Sequence, residues 1–441
     1  MFMKTFSREL LFLLLCLGAF PAAAASGPDR ELSGKLNKRY RELITRTETG
    51  KKFYERFEKA RGGKLPAVYL RYSDTLGLGW YELGKDAIYL NTKYLMIFFD
   101  IKGYKASKIA KIMNSGGKTL KEFVYYTDTL YLHELTHCLQ DSLYGKNRYM
   151  KEGGLYLEFE YEAFFVSDMY FHEKMKASPG LFKKIISGEY SDVYTNYDMD
   201  GYLMVSMDPA EYKKNIEKRY RREISGYISL SEEEELRKRR LEETKFLSYA
   251  SGKEKRYDEE KKDYVLLERQ RAEYEAFLGE FYGSNWPAFS ADALDFISDA
   301  AVEAKNYPLA LETASFAEKN FEALKGADTG GKLEKLKTKS ALVILGAISY
   351  IKDHAEKMPS EILAHHFKAL EKACLKTERP FPTELSEKRK LAYSETLKEY
   401  LKLEASEKDV WKKEYYAANS SFFMESLVKN YNLKAEEFRK P

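Results

Sequence analysis

With 441 residues and 44% apolar side chains, the chain can build one large or two medium domains, and its three cysteines are too few for a disulfide scaffold. Basic and acidic residues nearly balance, 73 against 69, and the net charge of +4 comes with no long basic stripe, so no nucleic-acid partner is expected. Only 11 prolines, amid abundant Lys, Glu, Leu and Ala, lean the chain toward helix, and the 35 tyrosines, spread throughout, read as amphipathic packing residues.

The first 25 residues have the organisation of a secretory signal peptide. Lys4 and Arg8 precede the apolar run LLFLLLCLGAF, and PAAAAS offers small residues for cleavage after Ala24 or Ala25. The apolar run is too short for a confident transmembrane helix, so the mature chain is expected to carry no membrane span. Cys16 offers a lipoprotein alternative, but Leu15 stands where a small residue is expected, and a soluble exported protein is preferred. Export would leave Cys138 and Cys374, the former read as a small buried residue.

Residues 29–61 show apolar spacing near 3.6 and predict a surface helix or helical hairpin ending at Gly62-Gly63. AVYLRYS, GWYELG and the start of DAIYLNTKYL then read as short strands, the one β-rich zone. A helix follows from a TLKE capping box, with Thr119 as N-cap and Glu122 reaching back, to about Leu143, with Gly145 as the stop. A second apolar helix is predicted over 154–177, then a Tyr/Asp-rich loop over 189–202. From about 229 onward only helices are expected, among them the charged SLSEEEELRKRR with its Glu233/Arg237 and Glu234/Lys238 pairs. AKNYPLALETASFAEK weakly resembles half of a tetratricopeptide hairpin, without a fixed period.

The chemistry is concentrated in HELTH, residues 133–137. On a helix His133 and His137 point the same way, so both imidazoles can reach one cation. Glu134 is rotated by about 100° and lies beside that cation, where a carboxylate can take a proton from a water. With only six histidines in the chain, a chance H-E-x-x-H has a probability on the order of 1% from composition, and a helix with two histidines and no metal is the lesser reading.

A catalytic zinc needs a third protein ligand and an open position. HCLQDSLYGKN has no histidine at the metzincin position, so a carboxylate on the next helix is expected, and LYLEFEYEAFFVSD supplies Glu158, Glu160 and Glu162. Glu160 shares a face with Gly153, Ala163 and Ser167, small residues that would let the two helices approach closely. Glu158 and Glu162 share one with Phe165 and Met169. Burying an ionised carboxylate among such residues is costly unless it meets a cation, and zinc is the available one. Glu160 ranks first, Glu162 second and Glu158 third.

HELTH followed by a Glu-bearing helix resembles the gluzincin metallopeptidases, the thermolysin-like and related zinc peptidases, over about residues 85–170. Glu160-Tyr161-Glu162-Ala163 matches the E-x-E-A opening of the third-ligand helix in several such families, whereas an N-E-A reading would pick Glu162. The family's aspartate four residues after that ligand is missing in either frame, since Phe164 and Val166 stand there, which leaves Asp128, Asp141 and Asp168 as candidates for orienting the histidines.

The elements read in chain order give an α+β, predominantly α-helical fold. A small β-sheet, a zincin active-site helix and a Glu helix would form a metallopeptidase domain over 26–228, followed by an all-helical accessory domain over 229–441, which the resemblance does not reach. The resemblance implies one Zn2+ held by His133, His137 and Glu160, with Glu134 as general base for hydrolysis of a peptide or protein substrate; the signal segment places this outside the cytoplasm: periplasmic, cell-surface or extracellular. AIYLN, 87–91, sits where zincins carry the edge strand that pairs with substrate, with an ordinary core strand as the equal alternative; Tyr194, Tyr197 and Tyr202 are candidate oxyanion donors, although a solvated tyrosine loop is the preferred reading. His354, His365 and His366 read as packing or surface residues. The competing reading is a non-enzymatic surface or periplasmic interaction protein, its helical half binding a protein partner and its zinc structural or vestigial. A structural zinc would normally have four protein ligands. A weaker third reading is an amidase acting on cell-wall peptides.

Overall fold

A computed structural model describes residues 27–73, 77–82, 85–115, 117–144, 156–190, 193–223, 285–324, 332–408 and 410–435, with a few single positions besides. The signal segment, Gly145, Gly153 and the Glu233/Arg237 and Glu234/Lys238 pairs lie outside the described residues. The fold is α+β and predominantly helical, with a single three-stranded sheet among the described residues.

The chain divides into two compact units. One comprises 27–177 and 193–223, the other Ser178–Tyr190 and the helices from Trp286 onward. The first begins with the expected hairpin, α1 (Gly27–Ile44) and α2 (Glu48–Arg61). Thr47 caps α2 by accepting from the Gly50 N–H, and Gly62 closes it in the left-handed conformation at φ 59°, which glycine adopts without a Cβ clash.

Three strands follow: β1 (Ala67–Arg71), β2 (Gly79–Glu82) and β3 (Ala87–Asn91). The order is β1-β3-β2, with β3 parallel to β1 and antiparallel to β2. AIYLN is therefore the central strand, buried at all five positions: of the two readings, the core strand holds and the edge strand is corrected. Its two faces alternate as a pleat requires: Ile88 and Leu90 enter the main core, while Tyr89 stacks on Trp80 beside Tyr69 on the other face. A strand hydrogen-bonded on both sides has no free edge to offer, and the outer strands are β1 and β2.

After α3 (Thr92–Ile101) and α4 (Ala106–Ser115) comes the longest helix, α5 (Lys118–Tyr144). It starts one residue before Thr119, so the capping box does not form: the Thr119 hydroxyl meets the Tyr104 hydroxyl at 2.9 Å, and Glu122 pairs with Lys102 and Lys118. Leu120, Phe123, Tyr131, Leu132, Leu135, Cys138 and Leu139 are buried on one side and Thr129, His133 and Gln140 on the other, so α5 is enclosed round most of its circumference and runs through the middle of the unit. It packs on α1, α2, β2 and β3, and on the next helix, α6 (Tyr156–Lys176).

The predicted loop at 189–202 is instead mostly helix, α8 (Val193–Met207), which follows the short α7 (Pro179–Ile186) of the other unit. Met199, Tyr202, Val205 and Ser206 fall on one buried face of α8, packed on α6 and α5. That burial outweighs the poor intrinsic helix propensity of the Tyr, Asp, Asn and Gly residues it contains. α9 (Pro209–Glu223) completes the described part of this unit. The second unit is helical throughout its described residues, including Tyr307–Lys319, Lys332–His354, Ser360–Lys376, Ser386–Ser406 and Val410–Tyr431. His366 is buried within it, and His354 and His365 are partly buried against tyrosines. Cys138 and Cys374 are both free and buried.

Candidate metal centre

His133 and His137 stand one turn apart on α5 and face Glu160 on α6. The two Nε2 atoms are 3.2 Å apart, and each lies 3.4 Å from an oxygen of Glu160. A tetrahedral ion with bonds of about 2.0–2.1 Å places its donor atoms about 3.3–3.4 Å from one another, so the three donors have the spacing of a shared ligand set. The Oε2 atom of Glu160 is buried and lacks a hydrogen-bond partner, although His133 lies within ion-pair distance: the atoms face a common point rather than each other. His133, His137 and Glu160 are thus a group that could hold a metal ion. Two imidazoles and one carboxylate suit the divalent ions of the first transition row, zinc among them.

The electrostatics favour a cation. Burial pushes the Glu160 carboxyl up, but His137 and His133 outweigh it and hold the group well below the usual carboxylate range. Burial lowers His137, yet the Glu160 and Glu134 charges and its bonds to Glu160 and Gln140 raise it to about 9. A pocket that stabilises a proton on His137 so strongly presents net negative potential to any positive charge.

Of the three candidate carboxylates, only Glu160 points at the histidines. Glu162 is fully buried but bonds Arg56 of α2, and its Oε2 accepts from Gln140 Nε2 at 2.9 Å. Gln140 in turn meets His137 Nδ1 at 2.9 Å through its Oε1 and donates to the Phe159 carbonyl at 3.0 Å. Since Gln140 Nε2 donates in both directions, its Oε1 must accept, which assigns the proton of His137 to Nδ1 and leaves Nε2 free to bind. Glu158 pairs with Lys213 of α9 at 2.5 Å. Zinc is therefore not the one cation available to these carboxylates: Arg56 and Lys213, contributed by distant segments, neutralise Glu162 and Glu158.

Gln140 had a local signal, its place three residues after His137 on the same helix face. Of the proposed orienting aspartates, Asp128 is taken by the Tyr170 hydroxyl at 2.5 Å and Lys174 at 2.6 Å, bracing α5 to α6. Asp141 accepts from the Tyr81 hydroxyl at 3.1 Å. Asp168 lines a small cavity beside His133 together with Asp198; burial first, and Asp198 second, raise its carboxyl well above the usual range.

Glu134 is buried next to the histidines. Burial raises its carboxyl despite the opposing His133 and His137, and the Tyr81 backbone N–H donates to it. This contact follows from the register. Asn91 N–H bonds the Leu78 carbonyl, so in an antiparallel ladder the backbone groups of Gly79 and Tyr81 point away from β3. β2 can lie this close because residue 79 has no side chain: a Cβ there would sit 3.0 Å from the Tyr89 carbonyl and 3.3 Å from Leu130 of α5. Tyr202 is fully buried and bonds His172 Nδ1 at 2.8 Å, which removes both from the centre, while the side chains of Tyr194 and Tyr197 lie outside the described residues.

Comparison with protein-family models, with curated proteins and with solved structures gave no match to this chain. Among the described residues, no helix is long and apolar enough to cross a membrane.

Proposed function

We propose that the chain is a zinc-dependent peptidase that hydrolyses peptide bonds, of the kind its HELTH motif and Glu helix resemble. The observation that carries this reading is the convergence of His133, His137 and Glu160 at 3.2–3.4 Å with the buried Glu134 carboxylate at their side. The ion, when bound, would supply a Lewis acid that polarises the scissile carbonyl and acidifies a water. Among the described residues, His133, His137 and Glu160 offer three protein ligands rather than the four usual in a structural zinc site, which would leave a position for chemistry. Glu134, with its affinity for a proton raised by burial, takes the proton of the attacking water and returns it to the leaving amine. The outward backbone groups of Gly79 and the outward carbonyl of Tyr81 on β2 are an edge on which extended substrate can pair. The N-terminal segment supports an exported enzyme, acting on peptides or proteins outside the cytoplasm.

Metal analysis and a broad peptide-cleavage screen on the mature chain test the proposal. Wild type should contain one zinc and cleave, and Glu134→Gln should keep the zinc and lose turnover. Cleavage that survives in purified Glu134→Gln, or a wild type without metal, overturns it. One zinc with no cleavage would favour the interaction-protein reading.

A further inference from the structure

The two histidines of the centre are supported unequally. With Nε2 turned toward the shared point, each ring carries its proton on Nδ1, and His137 places that proton on Gln140. His133 Nδ1 is buried with no hydrogen-bond partner in the structure. A ligand histidine is normally held by an acceptor on its second nitrogen, which fixes both tautomer and ring angle.

A second orphan lies close by. Asp168 Oδ2 is also buried without a partner, on α6 two turns beyond Glu160. His133 and Asp168 line the same cavity, together with Thr129, Ser167, Asp198 and Gly201. Its free volume for a water centre is about 10 Å3, close to the one-water minimum of about 10–15 Å3. A buried water also needs two to four polar partners, and this wall supplies an N–H donor, an unpaired carboxylate oxygen and a second carboxylate. The Ser167 hydroxyl is already spent on the Ala163 carbonyl at 2.8 Å. Phe164 closes the site from the side, its ring 4.5 Å from that of His133. Gly201 keeps α8 near: a Cβ there would lie 3.2 Å from Asp168 Oδ1.

We infer that one ordered water fills this cavity and links His133 Nδ1–H to the Asp168 carboxylate, making Asp168 the positioning residue for His133. The inference rests on reading His133, His137 and Glu160 as a metal site. It gives the two histidines different supports, a direct amide for His137 and a water-relayed carboxylate for His133.

The test is zinc affinity of the full mature chain, by competition with a chromophoric chelator, in wild type, Asp168→Ala and Asp168→Asn. Loss of the relay should weaken zinc binding by about 10–100-fold in Asp168→Ala, the range for removing such a supporting group. Asp168→Asn keeps an acceptor oxygen in place and should recover most of that loss. A structural role for the negative charge would instead weaken both variants alike and overturns the inference. Asp168→Ala binding within threefold of wild type overturns it too. If Asp168→Ala does not fold, histidine NMR of zinc-loaded Asp168→Asn decides. The His133 Nδ1 proton should shift while that of His137 stays, and an unmoved His133 proton overturns the inference. A wild type that binds no zinc removes the metal site itself and the relay with it, an outcome separate from all the others.

Discussion

Gln140 donates a 2.9 Å hydrogen bond to Glu162, and through this contact one glutamate of α6 is withdrawn from the metal centre while His137 is aimed into it. Arg56 neutralises Glu162 from the other side, so the buried carboxylate has a complete set of partners without an ion. Glu160, two residues earlier, has only the two histidines beside it among the described residues.

Removing the two glutamates should therefore have opposite effects on zinc binding. Glu160→Ala is expected to abolish stoichiometric zinc binding and to remove the stability that its charge gives the metal-free fold through His137. Glu162→Ala is expected to keep the zinc but to destabilise the protein by about 2–3 kcal/mol, below the usual figure for a broken buried pair because Arg56 is 27% exposed. Metal analysis together with urea unfolding measures both, and zinc lost from Glu162→Ala but retained by Glu160→Ala would reverse the ligand assignment.

Gln140→Ala should lower zinc affinity by about tenfold or more, because the His137 ring loses the acceptor that fixes its tautomer. Glu162 loses a donor in the same variant, so a smaller drop in stability should accompany it. Chelator competition is the direct measurement.

Metal binding should depend on pH with a definite sign. In the metal-free protein His137 is raised from 6.5 to about 9, so at neutral pH it holds a proton that the ion must displace. Affinity should climb with pH, by up to tenfold per unit, and level off above about 9. Stability of the metal-free fold runs the other way: the raised histidine contributes fully below about 6.5 and its contribution is lost as pH rises through about 9. Titrations of zinc affinity and of melting temperature across that window check the two slopes.

Gly79→Ala should destabilise the fold by about 1–3 kcal/mol, since a methyl group there meets the Tyr89 carbonyl at 3.0 Å and Leu130 at 3.3 Å. The strand that moves carries the N–H bonded to Glu134, so cleavage should suffer more than zinc affinity does. A variant that keeps full cleavage would show that β2 is not part of the working site.

What was legible in the sequence was what local spacing encodes. Four residues between His133 and His137 put both on one helix face, alternation marked the three strands, and the small residues beside Glu160 marked the side of α6 that approaches α5. Helical and pleated periods are properties of the backbone, so they can be read without knowing what lies across the core. What the tertiary structure alone decided were the partners that arrive from far along the chain. Arg56 reaches Glu162 across 106 residues and Lys213 reaches Glu158 across 55. These cations settle which glutamate remains for an ion, yet no local pattern announces them. The same holds for β3, whose central place depends on β1 and β2 flanking it, and for 193–207, where burial of Met199, Tyr202 and Val205 makes a helix of residues that alone favour a loop. Spacing along one element is local, but the pairing of charges and the burial of faces depend on segments that only folding brings together.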